Sequence, residues 1–212
     1  MFLHDSMSNS GCGCSSRSGN AECQNFGPFL AVDAACISVT PPAATGGSII
    51  PFSSGVTPVA LTSLLTGLIA TPSLIGFGTA TPGVTLVGET LDLSGLVTEA
   101  FTVPRAGNIT GLSASFSATA AVTLIGSTTV TATVYRAPAG STTYTATTAT
   151  VNLAPAYSGV ISLGATAFGS GSFAPIPVTA GDKLLMVYSI STTGVAVAQV
   201  LTGTASAGIT IE

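Results

Sequence analysis

Residues 46–212 predict an all-β fold, a single jelly roll or β-sandwich, behind an N-terminal Cys-rich extension at 1–45. Three observations carry that prediction. Apolar and β-branched residues alternate with period two in many short runs. Gly, Pro, Asn and Asp cluster between those runs as turn signals. All four cysteines and the only histidine precede residue 46.

Taken in order, the first candidate strands are 84–87, 91–93 and 100–103. Leu112, Ala114, Phe116 and Ala118 then form one apolar row, followed by a run at 121–126. In 129–135, Val130, Ala132 and Val134 face one way, with Thr129, Thr131, Thr133 and Tyr135 facing the other. Further runs lie at 144–153 and 158–163. Leu184, Met186, Tyr188 and Ile190 share a face, and 195–201 and 208–211 complete the set. Turns are expected at Pro82-Gly83, Arg105–Asn108, Ala137–Gly140 and Thr179–Asp182. The one helical candidate is Val59–Ala70, where leucines recur at mixed spacing among Thr and Gly. Thr on outward faces reads as a good strand former, as a glycosylation site or as a packing surface between subunits.

Composition narrows the function class. Only 6% of the 212 residues are charged, against about 25% in ordinary soluble domains, while 46% are hydrophobic. The apolar runs break within a few residues, so no membrane-spanning helix is expected. With no Trp and 6% aromatics, the girdles of a membrane barrel are missing too. Four basic residues and a net charge of −4 argue against a nucleic-acid partner. A surface of Thr, Ser, Gly and Ala resists self-association poorly, which suits a subunit that packs against its own copies.

The inventory for catalysis is thin. His4 sits in the extension, so the body has no imidazole for a nucleophile–base pair, and no Gly-x-Ser-x-Gly elbow or phosphate-binding loop occurs. Glu89 and Asp92 read as solvated charges, or as partners of Arg105, Arg136 or Lys183, as do Glu99, Asp182 and Glu212. Neither an enzymatic activity nor a cofactor is expected. Asn108-Ile109-Thr110 fits a glycosylation acceptor, a motif common by chance.

The extension holds the assembly candidates. Cys12, Cys14, Cys23 and Cys36 suit disulfides within the extension or between subunits; a four-thiolate zinc site is the other reading, with C-x-C spacing and no second close pair against it. Residues 26–40 are strand-capable, with Phe29, Leu30, Val32, Ile37 and Val39 as apolar positions. They read as the first strand of their own domain or as a strand added to a neighbouring subunit's sheet. Pro41-Pro42-Ala43-Ala44-Thr45-Gly46-Gly47 reads as the hinge. The N-terminus has no basic stretch followed by an apolar one, so no secretory signal is read there.

Gly46–Gly55, Ile75-Gly76-Phe77-Gly78, Val103–Thr110, Ile176–Asp182 and Gly203–Ile209 together resemble the C-terminal domain of BclB-type exosporium glycoproteins. The resemblance spans nearly all of 46–212. It implies a jelly roll of the tumour-necrosis-factor/C1q type, a homotrimer, and a place on the spore surface, where proteins reach the exterior on lysis of the mother cell. The chain has no Gly-X-Y repeat. Residues and resemblance together give the expectation of a structural subunit of an extracellular fibre or appendage, linked through residues 1–45. The alternative is a trimeric exosporium tip or coat protein that adheres to surfaces or glycans.

Overall fold

The computed structural model describes residues 47–64, 69–84, 90–94, 99–194 and 197–212. The extension, with Cys12, Cys14, Cys23, Cys36 and the segment 26–40, lies outside the described residues, as does most of the run expected at 84–87.

The described chain is all β. Its strands are β1 (Ser48–Ser53), β2 (Val59–Ser63), β3 (Ile69–Thr71), β4 (Ser73–Ile75), β5 (Ala80–Thr81), β6 (Thr90–Asp92) and β7 (Phe101–Thr102). Longer strands follow: β8 (Gly107–Ala118), β9 (Val122–Ala137), β10 (Thr143–Asn152), β11 (Tyr157–Ile161), β12 (Thr166–Val178), β13 (Lys183–Thr193) and β14 (Val200–Ile211). One sheet runs β12-β8-β14-β2-β3, with β1 also on β14; the other runs β5-β4-β13-β9-β10-β6, with β11 on β9 and β7 on β13. All pairings between these strands are antiparallel. The first strand pairs with the last, and the long strands pass repeatedly from one sheet to the other, which is the nested wrapping of a jelly roll.

The expected alternation holds where it was clearest. Leu112, Phe116, Val130, Val134, Leu184, Met186, Tyr188 and Ile190 all join one core between the sheets. Two buried tyrosines tie across it. The Tyr188 hydroxyl reaches the carbonyl oxygens of Ser206 (2.7 Å) and Ser115 (3.2 Å), and the Tyr157 hydroxyl those of Phe116 (3.0 Å) and Ala165 (3.1 Å). Burial pushes both phenols up from their ordinary value, so they stay protonated and donate.

Several local expectations change. Of the leucine-spaced stretch at 59–70, residues 59–63 are extended, because Val59, Leu61 and Ser63 alternate into the interior, and 65–68 lie outside the described residues. β-branched Thr62 between them favours that geometry. β12 falls where Gly169, Gly171, Pro175 and Pro177 interrupt the apolar residues. It is an outer strand of its sheet, where Pro175 and Pro177 are tolerated. Gly169 there lets β10 approach, since a Cβ would lie 2.7 Å from Val151 and 2.8 Å from the Asn152 carbonyl oxygen. Of the run expected at 195–201, residues 197–199 are not strand, Val200 opens β14, and 195–196 lie outside the described residues.

A second apolar cluster lies on the outer face of the β13-containing sheet. Leu74, Val84, Leu91, Leu93, Tyr135, Tyr144, Leu185 and Val187 pack together there. That face is thus buried within its own chain, and among the described residues no such cluster lies on the outer face of the opposite sheet.

Candidate functional site

The outer face of the β14-containing sheet belongs to β1, β14, β8 and β12, which contain no Asp, Glu, Lys or Arg. β1, β14 and β8 send Ile50 and Phe52, Ile209, and Leu112 and Phe116 inward and mostly small residues outward, whereas β12 turns Phe168 outward. The registers align the outward residues in rows across the sheet. One row reads Phe168, Ser115, Ser206, Ser53; the next Ser170, Ser113, Gly208, Pro51; the third Ser172, Gly111, Thr210, Ile49. Thr166, Ser117 and Thr204 continue the pattern.

The result is a pavement of hydroxyls bounded by apolar side chains. Phe168 is 70% exposed on one flank and Ile49 75% on the other. Within it Ser115 and Ser206 share a hydrogen bond of 2.9 Å, and Thr166 donates to Ser117 at 3.2 Å. The middle rows form a shallow recess of about 600 Å³ between Phe168 and Pro51. From behind, the Tyr188 hydroxyl holds the backbone of Ser115 and Ser206 in place. None of its four strands carries a charged side chain.

The described charges lie elsewhere. Asp182 is 2% exposed and takes Arg136 in two bonds, from Nε at 2.9 Å and Nη2 at 2.8 Å, plus the Thr179 N–H at 2.7 Å. Burial of its carboxyl works against ionisation, but the Thr179 hydrogen bonds and the Arg136 guanidinium outweigh it and hold the carboxyl below its ordinary value. Arg136 also donates to the Pro177 carbonyl at 2.9 Å, which ties the two sheets together at the end where the chain enters and leaves. Glu99 accepts from Thr79 at 2.6 Å and Thr81 at 3.4 Å, and Asp92 accepts from the Ser94 N–H at 3.0 Å, which lowers its carboxyl. Glu89 is outside the described residues. Among the described residues no three metal-ligating side chains converge.

None of the nine assembly residues expected from the sequence falls among the described residues. The hydroxyl face was missed for a physical reason: Ser, Gly and Ala carry little strand preference. The signal existed as alternation, in Ser113-Ala114-Ser115-Phe116-Ser117 and Thr202-Gly203-Thr204-Ala205-Ser206.

No family model matches the chain. The chain is 34% identical over 176 residues to Collagen-like protein 1 of Acanthamoeba polyphaga mimivirus, a match covering 78% of this chain and 19% of that protein's length. Among solved structures, the Eiger TNF of S. frugiperda aligns with 79% of this chain and 93% of its own at a TM-score of 0.39 and 9% identity. The jelly-roll assignment rests on the strand order.

Proposed function

We propose that residues 46–212 are a structural, non-catalytic domain that associates with copies of itself through the face of β1, β14, β8 and β12, side by side as a homotrimer. The observation that carries this reading is the contrast between the two sheets. One is covered by its own chain, while the other presents an uncharged face with Phe168 and Ile49 exposed. Small hydroxyls let two flat faces approach closely, and no charge has to be stripped of water. The collagen-like relative supports a structural role, and the carboxylates Asp92, Glu99 and Asp182 are each engaged in hydrogen bonds that stabilise the fold. The resemblance to BclB-type glycoproteins supports an extracellular place on a spore surface, where such a trimer serves as a tip or coat element that adheres to surfaces or glycans.

A second reading adds longitudinal linkage through residues 1–45 into a fibre, supported by the four cysteines and the apolar segment 26–40. Strand addition to a described sheet edge is the less favoured form of that linkage. β1 carries Pro51, β12 carries Pro175 and Pro177, and β3, β5 and β6 are two or three residues long.

The lateral reading is tested with Ser113→Lys and Phe168→Glu, both exposed on the face. Sedimentation equilibrium of the full chain in reductant should give a multiple of the chain mass for the wild type and a mass about threefold lower for each variant, as loss of a trimeric contact requires. A wild type that runs as a single chain, or variants that keep the wild-type mass, overturns the proposal.

A further inference from the structure

At the end of the sandwich opposite Gly47 and Glu212, a small groove runs between Val122–Ile125 and Val197–Val200, with a volume of about 210 Å³. Its exposed walls are Ile125 (54%), Val197 (44%) and Val200 (52%), and no charged side chain lines it. Isolated exposed aliphatics are ordinary on any protein surface. Here the fold holds one of them out. β11 pairs Ser158 with Ser127 but Gly159 with Leu124, so Ile125 and Gly126 bulge out of β9. Gly126 takes a φ of 77°, which a β-branched residue would resist.

The bulge leaves the peptide groups of Ile125 without strand partners on that side, and Gln199 supplies them. Its side-chain carbonyl accepts the Ile125 N–H at 3.1 Å and its amide donates to the Ile125 carbonyl. Gln199 is itself 7% exposed and fixed by Ser63, whose hydroxyl accepts the Gln199 N–H at 3.1 Å and the Thr192 hydroxyl at 3.1 Å. A bulge, a left-handed glycine and a fully bonded buried amide thus hold one isoleucine in water beside a recess. Bulges that re-aim a side chain are features of sites.

We infer that this groove receives the apolar residues Phe29 to Val32 from the N-terminal extension of a neighbouring copy, an inference that rests on the longitudinal reading above. Three points select that occupant. The groove is smaller than the ~300–1,000 Å³ of small-molecule pockets, and it suits one or two apolar side chains of a peptide. Residues 26–32 carry no charge, matching the uncharged walls, while Arg105, Arg136, Asp182, Lys183 and Glu212 gather at the opposite end of the body. The third point is reach. The chain enters at Gly47, beside Ile211, and β14 runs from there to Val200, about 36 Å at roughly 3.3 Å per residue. For Val32 to reach the groove of its own body, residues 33–46, which span at most about 50 Å, would have to double back at Gly47 and spend about 36 Å of that reach on the return. A copy stacked end on brings its groove next to Gly47 instead. Such a contact is heterologous and propagates into a filament.

The test places a benzophenone amino acid at position 125 of the full chain, in a mixture of isotopically light and heavy copies. Ile125 is half exposed, so the probe is tolerated; an unchanged melting temperature checks this. After irradiation, mass spectrometry should find crosslinks from position 125 to residues 26–32 that join light to heavy chains. Phe29→Asp should lower their yield about tenfold, as expected for a lost anchor residue, while adding Phe168→Glu to that variant should still lower its mass in reductant about threefold. Crosslinks to any other segment, crosslinks confined within one chain, or none at all overturn the inference. The Phe168→Glu result reports on the lateral interface separately, so failure of one contact is not mistaken for failure of the other.

Discussion

At the scale of single residues, Asp182 is the group whose chemistry most directly sets stability. Its carboxylate joins the Thr179–Asp182 turn at the start of β13 to Arg136 at the end of β9, and Arg136 in turn holds the Pro177 carbonyl of β12. Because the folded carboxyl titrates below its unfolded value of 3.8, the pairing contributes fully above that value. The contribution is lost as pH falls through the lowered folded value. Asp182→Asn should therefore cost about 1–3 kcal/mol at pH 7, the range for hydrogen bonds to charged groups. The gap between variant and wild type should narrow as pH falls below 3.8 and close once the lowered folded value is passed. Urea unfolding at pH 7 and at acid pH measures both, and a gap that stays constant with pH would refute the assignment.

At the scale of elements, tightness of packing in β14 makes a sharp prediction. A Cβ at Gly203 would lie 2.3 Å from the Ser117 carbonyl oxygen and 2.4 Å from the Phe116 ring. Gly203→Ala should thus destabilise the domain by about 1–3 kcal/mol, the usual cost of overpacking, read as a lowered denaturation midpoint. The position reads from sequence only as a weak strand residue, which marks where sequence reasoning stops. β8, β9 and β13 were legible because Leu112 to Ala118, Val130 to Val134 and Leu184 to Ile190 place apolar residues inward at every second position. β12 was not, since its inward positions include Gly169 and Gly171, kept small by the approach of Val151 rather than by any local preference. The short strands β1 to β5 were also missed. Their partners lie far along the chain, as in the pairing of Ile50 with Ile209, and no local pattern encodes such a partner. The hydroxyl face shares this property, because it exists only once registers from four separate strands are aligned.

At the scale of the whole molecule, charge and surface are sorted by position. The side-by-side interface proposed for the β1-β14-β8-β12 face contains no ionic group, so its strength should vary little with salt. Sedimentation at 50 mM and 500 mM sodium chloride should give dissociation constants within about threefold of each other, whereas an interface built on ion pairs weakens steeply over that range. Asp182 and Arg136, at the opposite extreme, are sequestered within a single copy and do not take part.

The antiparallel pairing of β1 with β14, which sets Gly47 beside Ile211, also decides how the domain bears tension. A pull that enters at Gly47 and leaves through the far end acts along the strands. The backbone pairs from Ser48–Ile211 to Ser53–Ser206 then lie in shear and share the load at once. A pull that separates Gly47 from Glu212 instead peels the same pairs open one after another. The same ladder is strong in the first direction and weak in the second, so the domain has a preferred mechanical axis running from its charged end to its apolar one.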